Sequence, residues 1–128
     1  MIAPGDAGGE LILVADDDED ILALVRAVLE RAGHEVVAVR DGAKALASVR
    51  ERRPHLAVLD ITMPELDGLE VLRRLRADAA TNELPVVLLS AQAQEADVER
   101  GFATGASAYV KKPFSPRELV ERVSELLA

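Results

Sequence analysis

The chain has 128 residues, of which 15 are basic and 23 acidic, giving a formal charge of −8; that length suits one domain with a buried core. There is no cysteine, which excludes disulfide scaffolds, thiolate zinc sites and a cysteine nucleophile. The acidic surplus, and an aromatic set limited to Phe102, Tyr109 and Phe114, argue against direct nucleic-acid binding, and no apolar run is long enough to span a bilayer.

Residues 1–10 are rich in Gly, Pro and Ala and lack the charged and apolar regions of a signal peptide, so a flexible arm and a cytoplasmic protein are expected. Residues 11–128 are read as one domain. Leu11-Ile12-Leu13-Val14-Ala15 is a continuous apolar run, the mark of a strand buried on both faces. From Asp18 to Ala32 the apolar residues recur at helical spacing, and Gly33 is placed to close that helix in the left-handed region. The alternation then repeats. A strand is expected at residues 36–39, and Asp41 caps a helix that stops before Pro54. A third strand, residues 56–59, ends at Asp60, and Asp67-Gly68 leads into a helix carrying Leu69, Val71, Leu72 and Leu75. Pro85 opens a fourth strand that ends at Ser90, followed by a weaker helix near residues 95–104. The last strand, residues 108–110, is the least apolar and suits a sheet edge. Ser115, Pro116 and Glu118 then form a helix start. Five strand–helix alternations with right-handed crossovers predict an α/β fold: a doubly wound parallel sheet with helices on both faces.

Ligands of such sheets bind at the carboxyl ends of the strands. After the first strand come Asp16 and Asp17, after the third Asp60, after the fourth Ser90, and after the fifth Lys112. Each has an ordinary explanation. Acids favour a helix N-terminus, which accounts for Glu19 and Asp20. Asp60 and Ser90 are common strand-end and capping residues, and Lys112 could be a solvated edge lysine. Asp16 and Asp17 precede the helix proper, however, and with Asp60 would repel one another unless a cation intervened; Mg²⁺ suits a few carboxylates plus water and phosphate oxygens. In that setting Asp60 reads as a carboxylate nucleophile for a phosphoryl group, Ser90 as a hydroxyl donor to it, and Lys112 as a cation paired with Asp60. His34 and His55 make no ligand pair and are assigned to the surface. Met63 is assigned to packing, and Arg73, Arg74 and Arg76 to a solvated helix face.

Together, Leu13-Val14-Ala15-Asp16-Asp17-Asp18, Leu59-Asp60-Ile61-Thr62-Met63-Pro64 with Asp67-Gly68, Leu88-Leu89-Ser90-Ala91, Gly105-Ala106 and Tyr109-Val110-Lys111-Lys112-Pro113-Phe114 resemble the receiver domain of bacterial two-component response regulators. The resemblance covers residues 11–127. It implies the flavodoxin-like strand order 2-1-3-4-5, and Asp60 as an acceptor phosphorylated from a sensor histidine kinase or a phosphotransfer protein. It implies Mg²⁺ held directly by Asp17, Asp60 and the backbone carbonyl of Thr62, with Asp16 acting through water. It further implies Lys112 in a cis Lys–Pro bond, Ser90 and Tyr109 as a switch pair, and Thr62 and Gln92 as positions that tune dephosphorylation. Ser107-Ala108 departs from the two aspartates common at that place in DNA-binding members.

The expected function is a phosphorylation-activated signalling switch, not a turnover enzyme, acting on a downstream protein target or an output domain that is missing here, with no contact to nucleic acid or membrane. Three rivals stand beside it. An aspartyl-nucleophile phosphatase would want an acid two residues after the nucleophile, where Thr62 stands. A flavin- or nucleotide-binding module would want a Gly/Ser/Thr-rich phosphate loop after the first strand, where this chain has acids. A receiver-like scaffold not regulated by phosphorylation would have no need of Asp16, Asp17, Asp60, Ser90 and Lys112 together.

Overall fold

A computed structural model describes residues 10–91 and 95–128, without the side chains of 95–97. Of the expected arm over residues 1–10, residues 1–9 lie outside the described residues, as does Gln92. Glu10 is tied to the sheet, its carbonyl accepting the Glu35 N–H at 3.0 Å.

The elements alternate as β1 (Leu11–Ala15), α1 (Glu19–Arg31), β2 (Glu35–Val39), α2 (Gly42–Arg52), β3 (Leu56–Asp60), α3 (Gly68–Ala77), β4 (Val86–Ser90), α4 (Glu95–Thr104), β5 (Ala108–Lys111) and α5 (Pro116–Leu127). All neighbouring strands run parallel, in the order β2-β1-β3-β4-β5, the expected α/β architecture with β5 at an edge. Alternate strand residues feed two separate cores, because successive side chains point to opposite faces. Leu13, Ala57, Leu59 and Leu88 pack with Ala45, Leu46, Val71 and Leu72 of α2 and α3. Ile12, Val14, Val58, Leu89 and Val110 pack with Val25, Leu29, Leu119 and Val123 of α1 and α5. Each fully buried leucine contributes roughly 1.5–3 kcal/mol, so the apolar strands hold the sheet rigidly under its polar rim.

The helix starts are fixed by side-chain caps. Asp18 accepts from the N–H groups of Asp20 and Ile21 at 2.9 and 3.3 Å, Asp41 from Lys44 at 2.7 Å, Asp67 from Glu70 at 2.8 Å and Ser115 from Glu118 at 3.1 Å. Gly33 sits at φ +100 just past α1, as a left-handed close requires. Met63 is buried in the core, as assigned. Two sequence-level assignments change. Arg73 and Arg74 pair with Glu70 on the exposed face of α3, but Arg76 turns inward and donates to the Gly105 carbonyl at 3.0 Å. His55 is exposed, whereas His34 is half-buried.

Candidate functional site

Register builds the site. Ala15 of β1 pairs with Leu59 of β3, so the next residue on each chain segment, Asp16 and Asp60, lies beside the other at the carboxyl rim. Asp17 follows at the exposed lip. One carboxylate oxygen from each of Asp16, Asp17 and Asp60 lies within 4.8 Å of the others. Ser90 ends β4 opposite Lys111 of β5, and the Lys112 N–H donates to the Ser90 carbonyl at 2.8 Å. The Lys112–Pro113 bond is cis, as the resemblance implied.

The acids have unequal roles. Asp16 is fully buried. Its Oδ1 accepts the Asp18 N–H at 2.9 Å and its Oδ2 accepts from Lys112 Nζ at 2.7 Å. Lys112 Nζ also stands 3.4 Å from Asp60 Oδ1. The sequence pointed to Asp60 as the lysine's partner; the structure adds Asp16 as the closer one. Nothing local in the sequence joins residues 96 positions apart. The acidic run thus divides: Asp18 is the helix cap, Glu19 and Asp20 are first-turn acids, and Asp16 and Asp17 remain for the rim.

Asp60 is 5% exposed. Burial, chiefly, and then the charge of Asp16 push its pKa up to about 6, against the pull of Lys112 and of a hydrogen bond from the Thr62 backbone. For Lys112, burial works against the charge, but the bond to Asp16 and the nearness of Asp60 outweigh it and raise the pKa above the ordinary lysine value. Ser90 is buried at the end of β4, and Tyr109 is half-buried on β5 against the α2/α3 core. Thr62 is exposed on the connection after β3.

Three hard carboxylate donors gathered at one rim, with an oxygen of each within 4.8 Å of the others, fit a small divalent cation with oxygen ligands. The single lysine of the cluster cannot neutralise three acids. The raised Asp60 pKa reflects its burial first and the neighbouring Asp16 charge second.

The chain matches the response regulator receiver domain family over residues 12–124. It is 42% identical over 118 residues to the DNA-binding response regulator MtrA of Mycolicibacterium smegmatis, covering 92% of this chain and 50% of MtrA. The chain therefore spans about half the length of the curated relatives it matches. Among solved structures, a putative response regulator from Chloroflexus aurantiacus superposes with a TM-score of 0.89 at 34% identity, covering 93% of this chain and 98% of that one. The receiver domain of a sensor histidine kinase from Pseudomonas aeruginosa, with a magnesium ion coordinated in its active-site cleft, gives a TM-score of 0.86 at 29% identity, over 93% of this chain and 98% of that one. Sequence, fold and the acidic rim agree: the chain belongs to the family of response regulator receiver domains.

Proposed function

We propose that the chain is a phosphorylation-activated switch in which Asp60 accepts a phosphoryl group from a phosphohistidine of a sensor kinase or phosphotransfer protein. The observation that carries this reading is the cluster of Asp16, Asp17 and Asp60 with Lys112 Nζ between Asp16 and Asp60.

An Asp60 carboxylate oxygen attacks phosphorus in line; the new O–P bond forms as the P–N bond to the donor imidazole breaks. With a pKa of about 6 the carboxylate is mostly ionised at neutral pH, and so is a competent nucleophile. Asp17, Asp60 and the Thr62 carbonyl would hold Mg²⁺, and Asp16, whose two oxygens accept from the Asp18 N–H and Lys112 Nζ, would support the site without a direct bond. Magnesium bound there supplies positive charge to offset the carboxylates and the transferring phosphoryl oxygens. Lys112 shifts from the carboxylates to the new phosphoryl oxygens, and the Ser90 hydroxyl donates to one of them. Tyr109 follows Ser90 inward. A phosphoryl group adds close to two negative charges at one point, and that local change biases the β4–β5 side between two arrangements. Taking that equilibrium from 1:99 to 99:1 requires about 5.5 kcal/mol of differential stabilisation.

The phosphoryl group is lost by hydrolysis of the same bond, so the chain turns over only its own modification and is not a turnover enzyme. Its partners are the phosphodonor protein and a downstream target or output domain. No described helix is long and apolar enough to cross a membrane.

Intact mass after incubation with acetyl phosphate tests this. The wild type gains one phosphoryl adduct that needs Mg²⁺, and Asp60→Ala gains none. A folded wild type with no adduct overturns the switch in favour of a scaffold.

A further inference from the structure

We propose that Gly42, at the first turn of α2, is a positioning residue for the phosphoacceptor. The inference rests on the reading of Asp60 as that acceptor.

The argument starts with the cap. Asp41 is extended, at φ −148 and ψ 165, and its side chain accepts the Lys44 N–H at 2.7 Å. That fixes the start of α2 at residue 42 and turns its first turn toward the connection between β3 and α3. Gly42 is buried there. A Cβ on it would lie 1.9 Å from the Leu66 carbonyl oxygen and 2.7 Å from both the Leu66 carbonyl carbon and its Cβ. The obstacle is backbone, so no side-chain rotation relieves it.

Leu66 belongs to the short segment that leaves Asp60 and re-enters the fold at α3. That segment is tied at both ends. The Gly68 N–H donates to the Ile61 carbonyl at 2.8 Å, and a Cβ on Gly68 would lie 2.3 Å from the Asp60 carbonyl oxygen. Between the ends, Met63 is buried in the core and Glu65 is held at φ 71. Such a segment has little slack, so a push on Leu66 must be shared along it. Its member nearest the chemistry is Thr62, whose backbone hydrogen bond holds the Asp60 carboxylate. Helix α2 contributes no side chain to the acidic cluster, yet its first residue sets how closely this segment can sit. Gly42 therefore acts on Asp60 through Leu66 and Thr62.

The test uses Gly42→Ala with Ala47→Gly as its control, since Ala47 is exposed on α2 and its replacement loosens the same helix without touching Leu66. The readouts are the Thr62 amide chemical shift in Mg²⁺-free protein and the rate of phosphorylation by acetyl phosphate with Mg²⁺. Because misplacing reacting groups by about 1 Å costs on the order of 100-fold, Gly42→Ala should move the Thr62 amide and slow phosphorylation by roughly 10- to 100-fold. Ala47→Gly should leave both near wild type. An unmoved Thr62 amide with a wild-type rate, or equal losses in the two variants, overturns the proposal. Should Gly42→Ala fail to fold, Asp41→Ala releases the start of α2 without adding an atom at residue 42; it should move the same amide and slow the reaction by a smaller factor, and no change in either overturns the proposal. A wild type that takes no phosphoryl group refutes the acceptor reading, while the Thr62 shift still decides whether Gly42 governs the segment.

Discussion

The two ends of the sheet solve the problem of buried polarity in opposite ways. At the amino end, a buried polar group is closed off by a neutral bond: the Thr81 hydroxyl donates to the Leu75 carbonyl at 2.7 Å. At the carboxyl end, Asp16, Asp60 and Lys112 are charged, close together and shielded from water. Unpaired buried charge costs several kcal/mol, whereas a satisfied neutral hydrogen bond contributes about 1 kcal/mol. One end is thus optimised for stability, and the other retains repulsion between acids that a cation can relieve.

That contrast can be broken most forcefully at Lys112. Lys112→Ala removes the cation from a fully buried Asp16 and should destabilise the fold by about 3–5 kcal/mol, measured by urea unfolding at neutral pH without Mg²⁺. Asp60→Asn should act in the reverse direction. A folded-state pKa of about 6, against 3.8 for an ordinary Asp, means that the fold binds this proton more tightly than the unfolded chain does. Ionising Asp60 therefore costs the wild type stability as pH rises from about 4 to about 6. The asparagine variant avoids that cost, so its advantage should be absent near pH 4, grow to on the order of 1–3 kcal/mol by pH 6, and stay level above. Thermal unfolding across that range checks it, and Mg²⁺ should narrow the gap by stabilising only the wild type. At the amino end, Thr81→Val should cost about 1 kcal/mol, with no response to pH between 4 and 7 or to Mg²⁺. A Thr81→Val deficit that did vary with either would dissolve the distinction between the ends.

Much of the architecture could be read directly from the chain because β1, β3 and β4 are buried on both faces and appear as unbroken apolar runs. The caps Asp41 and Ser115 were equally visible, since capping is a local interaction, while Asp67 was read only as the entry to its helix. Boundaries shifted where the signal is weak: β2 begins at Glu35, an exposed residue at the start of an edge strand. Asp16, Asp17, Asp60, Ser90 and Lys112 could be picked out by their places at strand ends, and register brings the three acids together. What stayed hidden was non-local. Arg76 looked like its exposed neighbours because its partner, the Gly105 carbonyl, lies in another loop. The primacy of Asp16 over Asp60 as the lysine's contact depends on side-chain geometry across the sheet. The tight seat of Gly42 under Leu66 joins two connections that share no periodicity.

The bond between Asp16 and Lys112 also bears on how the molecule is made. Its partners are separated by 96 positions, and the lysine follows the edge strand β5, the last of the five strands in chain order. A chain that has produced only β1 to β4 could stack those strands, but it would bury Asp16 with no counter-charge. Early closure of the sheet is therefore penalised until β5 arrives, which couples the last strand to the first. A chain without β5 would hold Asp16 and Asp60 without the lysine that stands between them, so the rim is completed only by the strand at the sheet's edge.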